Sequence, residues 1–196
     1  ADARPFKTHI NAFDMDMYLR ISLELLLKQL IVAGFEKVYE MGRVFRNEGV
    51  DRQHNPDFTE LEFYWAYADY KDMMKFTEEM IVSLLKQLFG KTKIKYEGKE
   101  IDFKTPWPRT EYGKLIRKYT KLDIDTLNRD SLLKEAKKLG LAPEDTWSKG
   151  KVVDEIYKKY CRPKVSEPTF VIHHPSEMYP LAKQRSENPK EAETIQ

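Results

Sequence analysis

Between Arg43 and Trp65 the chain reads RVFRNEGVDRQHNPDFTELEFYW, with arginines, carboxylates, a histidine and aromatic rings gathered around an Asn55-Pro56-Asp57 turn. Their chemistries are complementary. A guanidinium grips phosphate or carboxylate through paired hydrogen bonds, an aromatic ring stacks on a flat base, and carboxylates hold an ammonium. A surface carrying all three suits a nucleotide and an amine together. The competing reading is a solvated hairpin whose charges pair with one another, the commoner fate of a charged hairpin.

Two strand-like runs must position these groups. EKVYEMGRVFR (36–46) is the first, and DFTELEFYWAY (57–67) the second. In the second run Thr59, Leu61, Phe63, Trp65 and Tyr67 share one face, while Phe58, Glu60, Glu62, Tyr64 and Ala66 share the other. The first face is mostly apolar and is expected on a core. The second mixes carboxylates with aromatics and is expected to face a ligand. Residues 47–57 make the long loop of an antiparallel hairpin, and long loops on rigid hairpins are usually functional or mobile. Arg46 ends the first strand and shares a face with Val44, Gly42 and Glu40. Gly42 leaves room for a ligand or another backbone to come close. If Arg46 faces the same side as Phe58, Glu62 and Tyr64, then cation, ring and acceptors meet.

Upstream, residues 16–33 place Met17, Ile21, Leu25, and again Leu26, Leu30 and Ala33, at helical spacing, with Gly34 closing the helix. Downstream, Asp69 caps an amphipathic helix over 70–89 that is expected to turn Met73, Phe76, Met80, Leu84 and Leu88 inward and to end at Gly90. KIKYEGKEIDF reads as a hairpin turning at Glu97-Gly98. Residues 110–161 are lysine-rich and helical in pattern, punctuated by Gly140 and Pro143, and read as a helical insertion covered largely by solvated charge. PTFVIHH returns to strand, and the tail KQRSENPKEAETIQ is expected to be helical or loose.

Composition narrows the classes. With 196 residues, 41% of them hydrophobic, the chain can bury a core, in one domain or one domain with an inserted subdomain. Lys plus Arg number 34 and Asp plus Glu 32, a balance that disfavours a general nucleic-acid binder. Cys161 has no second cysteine to pair with, which excludes a disulfide framework or a cysteine zinc site and fits a reducing cytoplasm. LELLLKQLIVAGF, broken by Glu24, Lys28 and Gln29, falls short of the ~20 apolar residues of a membrane span, and no signal-peptide pattern opens the chain. His173 and His174 are adjacent and would point to opposite faces of a strand, which disfavours a shared metal. His9 reads as a loop or core histidine. The chain begins abruptly at ADARPF and ends abruptly at EAETIQ, as a piece of a longer protein would.

FRNEGVDRQHNPDFTELEFYWAYADY resembles the second signature motif of the class II aminoacyl-tRNA synthetases: an arginine, a glutamate two residues on, a histidine in the loop, then Phe-Thr and a glutamate. Aspartyl and asparaginyl members share this skeleton. The RNEG…HNPDFT wording, followed by EFY and AYADY, is similar to the lysyl-tRNA synthetase family. ARPFKTHINAFDMDMYLRISLELLLKQLIVAGFEKVYEMG upstream and PTFVIHHPSEMYPLAK downstream extend the resemblance over nearly the whole chain.

That resemblance implies an α+β fold, an antiparallel sheet flanked by helices with an inserted helical subdomain. Catalytic core is then expected over 1–104, the insertion over 105–165 and a return to core over 166–196. It implies an AMP-forming ligase that activates lysine with ATP to lysyl-adenylate and passes it to tRNA(Lys). The attacking carboxylate is already ionised, so the protein's work is positioning and charge stabilisation. At matching positions, Arg46 bridges the α-phosphate and the lysine carboxylate, Glu48 meets the adenine amino group, and Phe58 stacks on adenine. His54, with Arg52 or Asn55 beside it, lies near the terminal phosphates. Glu24 binds a substrate amino group, and Glu62 and Tyr64 line the amino-acid pocket, although Glu24 is also four residues before Lys28, the spacing of an ordinary helix ion pair.

The family's Mg2+ ligands are expected after residue 196 and none within this chain, and its first and third motifs and its anticodon-reading OB-fold outside it, leaving an incomplete adenylation half-site. A homodimer is expected of the full-length protein. The lysines of 110–161 read as solvated surface in preference to a tRNA contact. Two alternatives stay open: a truncated paralogue that lysylates a protein, of the elongation-factor-P type, and a non-catalytic ATP-binding fragment.

Overall fold

The β3–β4 hairpin organises the first part of the chain. In the computed structural model, which describes residues 3–51 and 54–196, β3 (Lys37–Phe45) and β4 (Asp57–Trp65) pair antiparallel in a register running from Lys37 opposite Trp65 to Phe45 opposite Asp57. Arg52 lies outside the described residues. The chain divides into two compact units, Ala1–Ala68 and Asp69–Gln196.

In the first unit, β1 (Lys7–Ile10) and β2 (Met15–Tyr18) form a short antiparallel hairpin, and α1 (Glu24–Val32) follows. The expected helix therefore starts eight residues later than residue 16. Alternation wins over helical spacing at 15–18 because Lys7–Ile10 supplies a pairing partner. The helix also turns a different stripe inward. Leu23 and Leu27 are buried, whereas Leu25 and Leu26 are 77% and 59% exposed. Its end is as expected: the Gly34 N–H donates to Ile31 O and the Phe35 N–H to Leu30 O, with Gly34 at φ +102°, the left-handed closure that glycine permits.

Leu23, Leu27 and Val44 make the core of this unit, with Val38, Phe58 and Tyr64 packed against them. This reverses the expected use of β4. The face of Phe58, Glu60, Glu62 and Tyr64 is the more buried one, while Leu61 and Trp65 are exposed and Tyr67, beyond the strand, fully so. Helix α1 lies on the carboxylate-bearing face, where Leu27 and the preceding Leu23 pack with Val44.

The second unit opens with α2 (Tyr70–Phe89). Asp69 accepts from the Lys71 and Asp72 N–H groups, Asp72 reaches back to the Asp69 N–H, and Gly90 closes the helix at φ +69°. The inward stripe is Met74, Glu78 and Leu85, one position round from the expected one; Phe76, Leu84 and Leu88 are exposed. Trp107 and Phe170 decide the rotation, packing with Met74, while Glu78 Oε1 accepts the Trp107 N–H at 2.8 Å.

β5 (Lys93–Tyr96) and β6 (Lys99–Asp102) form the expected hairpin, with Glu97 and Gly98 both at positive φ. β7 (Arg109–Glu111) pairs in parallel with β8 (Phe170–Ile172), and α3 (Tyr112–Thr120), α4 (Arg129–Lys138) and α5 (Lys149–Ile156) lie between them in sequence. A π-helical turn, Tyr157–Cys161, continues α5. These helices enclose a core of their own, including Tyr112, Ile116, Leu132, Val152, Ile156 and Cys161. The tail is neither helical nor loose: Gln196 and Val171 exchange backbone hydrogen bonds, and the Ala192 N–H donates to His174 O.

The fold is thus mixed α and β, its strands in three antiparallel pairs and one parallel pair among the described residues. No helix among those residues is long and apolar enough to cross a membrane. His173 meets the Tyr70 hydroxyl, whereas His174 lies between the Tyr112 and Tyr179 rings. His9 sits on β1, exposed, with its Nδ1 3.0 Å from Asp16 Oδ1, neither in a loop nor in a core.

Candidate active site on the β3–β4 hairpin

Antiparallel pairing puts directly opposed residues on the same face. Glu40 faces Glu62, Gly42 faces Glu60, and Val44 faces Phe58, so Arg46, two residues beyond Val44, comes to the same side. Its Nε donates to Ile21 O at 3.1 Å, its Nη2 lies 3.4 Å from Glu60 Oε1, and its guanidinium carbon is 5.0 Å from the Phe58 ring centre. The cation is therefore held by a backbone carbonyl, a carboxylate and an aromatic face before any ligand arrives.

The loop is braced by its own side chains. Asp51 accepts the His54 backbone N–H at 2.9 Å and approaches His54 Nδ1 at 2.8 Å; Asn55 Nδ2 donates to Asp57 O at 2.9 Å. A cavity of about 310 Å³ is lined by Arg46, Glu48, Gly49, His54, Asn55, Pro56 and Phe58. The structure thus brings Arg46, Glu48, His54, Asn55 and Phe58 to one concavity with a cation, a ring and polar groups on its wall. Such a lining can take an anionic, flat-ringed ligand.

Glu24, Glu62 and Tyr64 lie outside that lining, around the start of α1. Glu24 is the first residue of α1 and pairs with Lys28 one turn on; the Lys28 ammonium stands 5.9 Å from the Tyr64 ring centre. The Leu23 backbone N–H lies beside the Glu62 carboxylate and favours its charged form. Glu62 Oε2 and Glu60 Oε2 are buried without a hydrogen-bond partner. Burial, then the charges of Glu60 and Glu24, push the Glu62 carboxyl above the usual range. Burial, then the charges of Glu62, Glu24 and Glu60, push the Tyr64 hydroxyl up to about 12, so it stays a neutral donor. A buried carboxylate with an unmet oxygen calls for a cation.

One residue of this face escaped the sequence reading. The Arg20 side chain enters the space above Gly42, donating from Nε to Arg43 O at 2.7 Å and from Nη1 to Glu40 Oε1 at 2.5 Å. A Cβ on Gly42 would stand 2.3 Å from Arg20 Nη2. The close approach expected at Gly42 is therefore made by a side chain, not by a ligand or a second backbone. A glycine inside a strand was the signal available.

The family model for class II tRNA synthetases (D, K and N) matches residues 1–196. A lysine–tRNA ligase from Pelotomaculum thermopropionicum is 48% identical over 195 residues, covering 97% of this chain and 38% of that relative. Lysine–tRNA ligases of Moorella thermoacetica and Clostridium acetobutylicum are 47% and 46% identical, over 96% and 100% of this chain and 39% of each relative. The chain thus spans less than half the length of the relatives it matches.

Proposed function

The chain belongs to the class II tRNA synthetases of the D, K and N group, and from that premise we propose that it carries the lysine- and ATP-binding face of a lysine–tRNA ligase. The observation that supports the reading best is the single cavity that gathers Arg46, Glu48, His54, Asn55 and Phe58. In this reading adenine stacks on Phe58 with its amino group toward Glu48. The α-phosphate and the lysine carboxylate share Arg46, and His54 and Asn55 stand toward the terminal phosphates. Glu24, Glu62 and Tyr64 take the amino groups of lysine, with Lys28 giving way on Glu24.

The chemistry asks little of the protein as acid or base. A carboxylate at neutral pH attacks the α-phosphorus, pyrophosphate departs, and Arg46 stabilises the charge that crowds onto the phosphate in between. Magnesium is part of the family's chemistry. Among the described residues no three His, Cys, Asp or Glu side chains gather to hold an ion.

The wider reading assigns catalytic core to 1–104 and 166–196, built on the class's antiparallel sheet, and a helical insertion to 105–165. It makes tRNA(Lys) the acceptor, a second copy the partner in the full-length protein, and the cytoplasm the setting.

Lysine-dependent ATP–pyrophosphate exchange tests the proposal, with the other amino acids as a panel. In the full-length protein exchange is expected with lysine alone, and Arg46→Ala is expected to lower it by two to three decades, the ~2.7–4 kcal/mol of a lost transition-state contact. Exchange supported by aspartate or asparagine in place of lysine, or indifferent to Arg46→Ala, would overturn the assignment.

A further inference from the structure

The carboxylates on the hairpin's ligand face are not equally supplied with cations. Glu40 has Arg20, Glu24 has Lys28, and Glu60 Oε1 has Arg46 at 3.4 Å. Glu62 lies beside the Leu23 N–H, and its Oε2 is buried without a partner. Among the described residues, the groups around Glu62 are Glu40 on β3, Glu60 and Tyr64 on β4, Glu24 and Lys28 on α1, and Arg46 at the end of the hairpin.

Glu40 is the cross-strand partner of Glu62. Opposed positions hold their Cβ atoms about 4.5–5.5 Å apart, and like charges there repel. Arg20 is what separates them electrically. Its guanidinium reaches Glu40 only because Gly42 has no side chain, and its own backbone is pinned by the Phe45 N–H on Arg20 O at 2.8 Å.

We infer that Arg20 is a positioning residue for the ligand's ammonium: by committing Glu40, it leaves Glu62, among the described carboxylates of β3 and β4 on this face, as the one without an ion-pair partner, ready for a single side-chain ammonium. This deepens the lysine reading above and rests on it for the identity of the amine. Removal of Arg20 exposes Glu62 to the bare charge of Glu40. Glu62 then holds its proton to higher pH, and a protonated carboxyl no longer attracts an ammonium.

The sign follows from that. Ammonium affinity is lost as pH falls through the Glu62 midpoint, and without Arg20 this loss begins at higher pH. One unit below a midpoint only about a tenth of the carboxyl is ionised, so affinity there drops about tenfold.

The test is carbon-detected NMR titration of the Glu62 carboxyl in the unaltered chain, in Arg20→Met and in Arg20→Met/Glu40→Gln, with lysine binding followed by calorimetry across the same pH range. Arg20→Met is expected to raise the Glu62 midpoint, so that its lysine binding falls about tenfold below its own high-pH plateau one unit under that raised midpoint. Adding Glu40→Gln is expected to reverse both, a rescue that a merely structural role for Arg20 would not give. If Arg20→Met does not fold, Gly42→Ala evicts the same guanidinium without deleting it and should move Glu62 likewise. An unmoved Glu62 midpoint, or a shift that Glu40→Gln fails to relieve, would overturn the inference, as would unchanged lysine affinity in Arg20→Met. If Glu62 moves as described while the unaltered chain binds no lysine, the lysine reading fails and the pairing of Arg20 with Glu40 stands.

Discussion

Gly42→Ala should destabilise the first unit in the native background and stabilise it once Arg20 is gone. The added Cβ would lie 2.3 Å from Arg20 Nη2 and 3.3 Å from Glu40 Oε1. Both are the far ends of flexible side chains, so the strand stays in place and the guanidinium leaves. It gives up its bonds to Arg43 O and Glu40. Buried charge-assisted bonds are worth about 1.5–3 kcal/mol each. Here the two side chains are 39% and 36% exposed, and solvent competition brings the pair to roughly 1.5–2 kcal/mol. Against this, alanine narrows the unfolded ensemble by about 0.4–1 kcal/mol, and Gly42 is not among the glycines at positive φ. The net expected loss is about 1 kcal/mol. In an Arg20→Ala background nothing is evicted and only the gain of about 0.4–1 kcal/mol remains. Chemical denaturation of the four members of the cycle reads this as an interaction energy near 1.5 kcal/mol. Equal effects of Gly42→Ala in both backgrounds would refute the account of why that glycine is there.

Three further outcomes are expected. Asp69→Ala should lower the unfolding midpoint of α2; the Asp72 and Lys71 N–H groups hold the Asp69 carboxyl below its usual range. Its stabilisation is therefore full above the ordinary carboxylate range and lost as pH falls through the depressed value, and the variant should lack that acid-side slope in thermal melts. Glu78→Ala strands the Trp107 N–H, whose acceptor lies at 2.8 Å, and should cost about 1–3 kcal/mol in denaturant unfolding, whereas Glu78→Gln keeps an acceptor and should retain most of it. Burial pushes the Cys161 thiol up to about 11, so at pH 8 the native chain should react with a disulfide reagent only as fast as it unfolds; brisk labelling without unfolding would show the thiol to be accessible.

Elements marked by local chemistry were legible from the sequence, and the direction in which they pack was much less so. Asp69 and Gly90 bracket α2 as expected, since a cap and a left-handed closure are decided within four residues. The Glu97-Gly98 turn is of the same kind. The inward stripe of α2 was misplaced because Trp107 and Phe170, distant in sequence, choose it. Met15–Tyr18 became strand because of Lys7–Ile10, a partner that helical spacing cannot reveal. Among the candidate site residues, alternation alone puts Phe58, Glu62 and Tyr64 on one face; that Arg46 joins them is seen from its contacts with Glu60 and Phe58. Alternation also points to the wrong surface as core, because the more apolar face of β4 is the more exposed one and Leu23 and Leu27 settle on the glutamate side. Arg20 is hidden for a simpler reason: it stands 22 positions before the glycine whose space it fills.

Three residues of the short segment Arg20 to Leu23 meet the hairpin through their backbone. Arg20 O receives the Phe45 N–H, Ile21 O receives Arg46 Nε, and the Leu23 N–H reaches Glu62. Arg46 and Glu62 are thus tied to one short strap, and a displacement at one is transmitted to the other within a few bonds. Free-energy linkage makes such a tie reciprocal. Whatever factor an anion on Arg46 imposes on the affinity for a cation at Glu62, the cation imposes on the anion. If the proposed anion and cation sites are both filled, the order in which the ligands arrive leaves the final occupancy unchanged.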